Sequence, residues 1–121
     1  MHRAFTHAEA QALMPEVRRR AADLVVVRAD FAEAADAAHT RRGGIPELKA
    51  LEARFHEALE WFPRQGIQVK RIAPLLVDFP AVAEGEDVLL CWLEGEPALE
   101  WYHPARLGFM GRRRIAASDR P

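Results

Sequence analysis

The spacing of the apolar residues changes once along the chain, close to Pro63 and Gly66. Before this point apolar residues recur at intervals of three and four, which places them on one stripe of an α-helix. After it they alternate with polar residues or form short apolar runs, as in β-strands. Helices followed by strands predict an α+β fold, in which an antiparallel helical hairpin packs on a small antiparallel sheet of three or four strands.

The helical hairpin is predicted over about residues 6–63. Thr6 and Glu9 have the spacing of a capping box, which favours a short opening turn. Proline is unfavourable inside a helix and welcome at its first position, so we expect a break near Met14 and a main helix starting at Pro15. A second helix follows a glycine-containing loop and ends at Pro63. The predicted seam between the helices comprises Leu13, Val17, Leu24, Val27, Phe31, Ala34 and Ala38 facing Leu48, Leu51, Phe55, Ala58 or Leu59, and Phe62.

A β-meander is predicted over about residues 66–103. Pro80 is expected to end one strand, with a polar loop over 81–87. Two further strands flank the turn residues 94–97, which read Glu-Gly-Glu-Pro. The basic tail, residues 104–121, is expected to be irregular, and mobile at its end.

The bulk properties indicate one cytoplasmic domain covering residues 1–121. A chain of 121 residues can bury one modest core. A formal net charge of −1 gives no overall attraction to nucleic acid, so no nucleic-acid partner is expected. The single cysteine, Cys91, fits a reducing compartment. Neither a signal peptide nor an apolar run long enough to cross a membrane is present in the sequence.

The register between the last two strands decides which side chains meet. Pairing of Leu93 with Ala98 across a four-residue turn would place Glu100 opposite Cys91 and put His103 on the opposite face. The face turned away from the helices would then be an apolar patch, which favours a homodimer through that face. The C-terminal tail folding over the patch is the alternative. The predicted interface residues are Leu76, Leu89, Leu93 and Tyr102.

Several motifs together resemble a known family. The series comprises LVDFP at 76–80, LCWLEGE at 90–96, WYH at 101–103 and GFMGR at 108–112, with FTHAEAQALMPEV at 5–17 and GIQVKR at 66–71. In these motifs the chain resembles an uncharacterised bacterial family classed as a domain of unknown function. The resemblance covers most of the chain outside the helix–helix loop, and it implies no functional residues.

Candidate ligands for a metal lie in the β-rich half. Asp78, Cys91 and His103 are residue types that bind divalent transition metals such as zinc, although no short metal-binding motif is present. The alternative is a core cysteine, with Asp78 and Glu100 neutralised by arginines. Those arginines, Arg112, Arg113 and Arg114, form the most concentrated basic run and are candidates for anion binding.

No combination of residues predicts a catalytic centre. The chain lacks a nucleophile elbow, and Cys91 lies between apolar residues in a predicted strand, where a thiol is poorly reactive. The sequence therefore favours a non-enzymatic, self-associating interaction module. The alternative function is a metal- or small-ligand-binding protein that uses Asp78, Cys91 and His103, with zinc as a possible cofactor.

Overall fold

A computed structural model describes residues 4–40 and 45–116. The helix–helix glycines and the end of the basic tail, for which a loop and a mobile terminus are predicted, lie outside these residues. Two helices, α1 (His7–Thr40) and α2 (Ile45–Arg64), precede five strands. The architecture is α+β, as predicted. Within the described residues neither helix is long and apolar enough to cross a membrane.

Helix α1 begins at the predicted capping box. The Thr6 backbone N–H donates to Glu9 Oε1 (2.9 Å), and the Glu9 N–H donates to Thr6 Oγ1 (3.0 Å). The break expected near Met14 is wrong, because α1 continues through Pro15. Pro15 is exposed, whereas Met14 and Val17 beside it are buried. Burial contributes about 1.5–3 kcal/mol per large apolar side chain, which offsets the roughly 3 kcal/mol cost of an internal proline.

The two helices pack antiparallel along the predicted seam. Phe31, near the end of α1, stacks on Phe55 of α2 with ring centroids 5.7 Å apart. Arg20, earlier in α1, lies 5.1 Å from the ring centroid of Trp61, later in α2. The order of contacts therefore reverses between the helices, as in a hairpin.

The sheet has five antiparallel strands in the order of the sequence, one or two more than predicted. Its strands are β1 (Gln68–Ile72), β2 (Leu75–Ala83), β3 (Glu86–Leu93), β4 (Trp101–Pro104) and β5 (Arg113–Arg114). A 3₁₀ turn, Phe109–Gly111, precedes β5. The segment predicted to be irregular after residue 104 thus contains a turn and the fifth strand.

The predicted strand break at Pro80 and polar loop over 81–87 are also wrong. β2 continues to Ala83, and the turn consists of Glu84 and Gly85, which have φ of 52° and 76°. Pro80 is tolerated because pairing with β1 ends at Asp78. The Pro80 carbonyl accepts from the Phe5 N–H at 2.7 Å. Its ring nitrogen points to the same side, away from β3, so no ladder hydrogen bond is lost.

The helices cover one face of the sheet. The core joins apolar residues of α1 to the helix-facing positions of the central strands. These positions are Val77, Phe79, Ala81, Val88, Leu90, Trp92 and Tyr102. The opposite positions of the same strands form the outer face, which lies away from the helices.

An ion pair connects α1 to the end of the sheet. The Arg28 guanidinium donates from Nη1 to Glu94 Oε1 (3.0 Å) and from Nη2 to Oε2 (3.1 Å). Its Nη1 also donates to the Ile72 carbonyl at 2.7 Å, and the Leu75 N–H donates to Glu94 Oε1 at 2.8 Å. Hydrogen bonding to Arg28, the largest influence, lowers the pKa of Glu94 below its usual range.

The core of α1 can be tested with one substitution at two sites. Val17 is fully buried, whereas Val26 of the same helix is 58% exposed. Val17→Ala should lower the free energy of unfolding by about 2 kcal/mol, through lost apolar burial and the cavity left behind. Val26→Ala should change it by less than about 0.5 kcal/mol, because alanine is a good helix former. Chemical denaturation measures both, and equal losses would contradict the placement of α1.

The Arg28–Glu94 pair should make stability depend on pH. The lowered pKa of Glu94 means that its contribution is fully present above the unfolded value near 4.5 and is lost as the pH falls through the folded value. Glu94→Gln should therefore cost about 1 kcal/mol at pH 7 and progressively less in acid. Glu57→Gln, on the exposed side of α2, should behave as wild type. The account would be contradicted if the free energies of unfolding of wild type and Glu94→Gln differed by the same amount at pH 7 and at pH 3.

Candidate metal centre

The turn between β2 and β3 sets the first pairing of the site. Glu84 and Gly85 both have positive φ, the conformation of a two-residue hairpin turn that allows one register. Ala83 consequently pairs with Glu86, and the ladder places Asp78 directly opposite Cys91. Directly opposed residues share a face, so both side chains lie on the outer face.

The longer connection between β3 and β4 sets the second pairing. In place of a four-residue turn, residues 94–100 join the strands. Glu96 bends this connection back, because its Oε1 accepts from the Leu93 N–H at 2.7 Å and its carbonyl accepts from Trp92 Nε1 at 3.1 Å. Leu99 then enters the core.

The observed register differs by one residue from the prediction. Cys91 pairs with Trp101, and Leu89 pairs with His103. The predicted pairing of Glu100 with Cys91 and the separation of Cys91 from His103 are therefore wrong. Tyr102 is also placed on the other side: it packs against the helix-facing core. Because side chains alternate along a strand, the one-residue shift moves His103 to the face of Asp78 and Cys91.

Three potential metal ligands meet on the outer face. One ligand atom each from Asp78, Cys91 and His103 lies within 4.8 Å of the other two. The residues are only 2%, 0% and 4% exposed. Donors around tetrahedral zinc are about 3.3–3.8 Å apart, given metal–ligand bonds of about 2.0–2.3 Å. Small side-chain adjustments would therefore bring the three donors to coordination distance.

The orientation of His103 is fixed by the main chain. Its Nδ1 lies 2.8 Å from the Pro104 carbonyl oxygen, which can only accept, so Nδ1 carries the proton and donates. Nε2 lies 3.3 Å from Asp78 Oδ2. In the neutral ring Nε2 is an acceptor, as is the carboxylate oxygen that it faces. A proton or a cation between the two atoms is therefore needed for a favourable contact. A metal-binding histidine has this arrangement, with its second nitrogen held by a backbone carbonyl.

Asp78 retains a free acceptor. Its Oδ1 is buried and lacks a hydrogen-bond partner among the described residues. Buried carboxylate oxygens are normally satisfied, because an unmatched buried charge is costly. This oxygen is therefore available as a ligand to a cation.

Cys91 is unsuited to nucleophilic chemistry in the absence of a metal. Burial is the main cause that raises the pKa of its thiol to about 12, and the charge of Asp78 raises it further, whereas Arg112 opposes the shift. A protonated thiol is a weak nucleophile.

The C-terminal part of the chain covers the site. We define the cover segment as residues 107–112. Within it, Phe109 lies 5.8 Å from the Cζ of Arg71 on β1, and Arg112 lies 4.9 Å from the Trp101 ring centroid on β4. Both partners belong to the outer face, so the segment spans the sheet. Leu76 and Leu89 of the predicted exposed patch are buried in the single chain.

The three arginines of the basic run have different environments. Arg112 forms an ion pair with Glu96 (2.7 Å) and donates to the Cys91 carbonyl (3.4 Å). Arg114 pairs with Glu100 (3.1 Å), and Arg113 is exposed opposite Tyr102. Two of the three arginines are therefore paired with carboxylates, and anion binding by the run stays a prediction. The contacts of Arg112 with Cys91 and of His103 with Pro104 were not predicted, since nothing in the local sequence marks contacts made by main-chain carbonyls.

The fold and this cluster define a class of protein: a small α+β domain with a candidate metal centre on the covered face of its sheet. The chain belongs to the family described as uncharacterized conserved protein DUF2203, whose sequence model matches residues 3–115. This assignment agrees with the resemblance to an uncharacterised family. Searches of curated proteins and of solved structures found no match.

The burial of Cys91 can be tested by thiol modification. In metal-free native protein at pH 8, an aromatic disulfide reagent should react at least about 100-fold more slowly than after unfolding, because the thiol is both covered and protonated. Absorbance of the released thiolate follows the reaction. A native rate within a few fold of the unfolded rate would contradict the buried placement.

Proposed function

We propose that this protein binds a divalent transition metal, zinc foremost, through Asp78 Oδ1, Cys91 Sγ and His103 Nε2. The observation that carries the proposal is the convergence of these three donor types in one buried cluster. Carboxylate, thiolate and imidazole are all zinc ligands, and a mixed set with sulfur and nitrogen favours zinc over magnesium or calcium.

The local contacts supply the supporting features of a metal centre. The Pro104 carbonyl fixes which nitrogen of His103 is free, and Asp78 retains an unmatched oxygen. A divalent ion would be neutralised by the Asp78 carboxylate and the Cys91 thiolate. Metal binding would displace the thiol proton, since a coordinating cysteine is deprotonated.

Three protein ligands leave one position of a tetrahedral ion open. Structural zinc sites usually have four protein ligands, whereas sites that bind an exogenous ligand have three. The proposal is therefore a metal centre with an open position.

Self-association, the other function favoured by the sequence, has weaker support. The argument for a homodimer was an exposed patch of Leu76, Leu89, Leu93 and Tyr102. Leu76 and Leu89 are buried within one chain, and Tyr102 packs on the helix side. Folding of the tail over this face, the alternative considered from the sequence, would bury them within one chain. The homodimer stays a prediction that light scattering on the purified protein tests.

Metal binding can be tested by replacing each ligand. Wild-type protein dialysed against zinc should retain about one ion per chain, measured by elemental analysis. Asp78→Asn, Cys91→Ser and His103→Gln should each weaken the affinity about 100-fold or more, because each removes one of three ligands. Zinc should also raise the Tm of wild type, since only the folded state presents the site.

The matched control is His56→Gln, the same change at an exposed histidine of α2. This variant should bind zinc as wild type does. Near-stoichiometric zinc in all three ligand variants would place the metal elsewhere, and failure of wild type to bind zinc, cobalt or manganese would refute the proposal.

A further inference from the structure

Two buried side-chain nitrogen or oxygen atoms have no hydrogen-bond partner within the described part of the chain. One is the acceptor Asp78 Oδ1, and the other is the donor Arg112 Nε. Both belong to residues that contact or oppose Cys91. The proposed metal centre uses the acceptor and leaves the donor unexplained. Buried N–H groups rarely lack an acceptor, so this donor is free to bind an acceptor from outside the chain.

Arg112 is held firmly in place over the outer face. Its Cζ lies 4.9 Å from the Trp101 ring centroid and 4.6 Å from that of Phe109, and its side chain is only 12% exposed. The two hydrogen bonds of its guanidinium, to Glu96 and to the Cys91 carbonyl, both use Nη2. The aromatic rings therefore fix the plane of the guanidinium while Nε–H stays unused.

The open metal position and the unused arginine donor together favour a ligand that carries two acceptor oxygens. Asp78 and Cys91 neutralise a divalent ion, and Glu96 neutralises Arg112 at Nη2. The metal still has an open position, and the guanidinium retains a directional donor. A carboxylate or phosphate group carries two oxygens, of which one can bind a metal while the other accepts from arginine.

We propose that the metal's open position takes an oxyanion, a carboxylate or phosphate group, whose second oxygen accepts the Nε–H of Arg112. This inference rests on the proposed metal centre. It assigns Arg112 a ligand-binding role that differs from the shared anion patch predicted for the three consecutive arginines. Binding involves no covalent step.

Cobalt-substituted protein provides the test. Cobalt(II) bound through Cys91 should show a thiolate-to-metal charge-transfer band, and its ligand-field bands report changes at the open position. Acetate and inorganic phosphate are titrated separately, with chloride as the ionic-strength control. Saturable spectral changes are expected with at least one of the two oxyanions. The two titrations together show whether the site prefers carboxylate or phosphate.

Arg112→Lys keeps the charge and removes Nε, so it should weaken oxyanion binding at least about 10-fold while changing cobalt affinity less than about threefold. The matched control is Arg114→Lys, because the Cζ of Arg114 lies over the same Trp101 ring, 4.8 Å from its centroid. This variant should bind oxyanions as wild type does. Glu96→Gln removes the competing charge and should tighten oxyanion binding about threefold. A general disruption of the cover segment would weaken oxyanion binding in both variants. It would not weaken binding in Arg112→Lys and tighten it in Glu96→Gln.

Every outcome bears on the inference. An unchanged spectrum with both oxyanions, or equal affinities in wild type and Arg112→Lys, would overturn it while leaving the metal centre intact. Oxyanion binding to the metal-free protein with unchanged affinity would overturn the bridging arrangement. Absence of the charge-transfer band would refute the metal centre, and the inference with it.

Discussion

The pairing of β2 with β3 is the constraint on which the site depends. A two-residue turn at Glu84 and Gly85 allows one register, and in the ladder that starts at this turn Asp78 lies opposite Cys91. A slip by one residue would turn one of the two side chains toward the helices. The same ladder presents Val77 and Phe79 to the core, so the apolar burial that stabilises the domain also enforces the polar pairing. The site is therefore linked to the most strongly specified part of the fold.

The outer face combines apolar and polar residues in a way that a bound metal would explain. Leu76 and Leu89 are covered, yet Asp78 and His103 between them are ionisable and almost fully buried. The carboxylate and the imidazole face each other at 3.3 Å, and a cation at their centre would be neutralised by the one and bound by the other. Arg112 lies over the same face with an unused donor. A metal with an exogenous oxyanion would account for both unmatched atoms, whereas an apolar interface would account for neither.

The sequence predicts more of the fold than of the site. The capping box at Thr6, the helical seam and the α+β class follow from local spacing, and the structure contains them. The strand end predicted at Pro80 was wrong, because a proline interrupts a strand only where its nitrogen faces a paired neighbouring strand. The register of β4 was missed by one residue, since Glu96 bends the connection through hydrogen bonds to Leu93 and Trp92. The three candidate ligands were predicted from their residue types, but their convergence depends on that register.

X-ray absorption at the zinc edge of the zinc-loaded protein tests the central claim most directly. The account predicts one sulfur at about 2.3 Å and three nitrogen or oxygen atoms at about 2.0–2.1 Å, one of them from outside the chain. The sulfur scatterer should be absent in Cys91→Ser. A six-coordinate shell of oxygen alone, or a sulfur signal that persists in Cys91→Ser, would contradict a metal centre built by Asp78, Cys91 and His103.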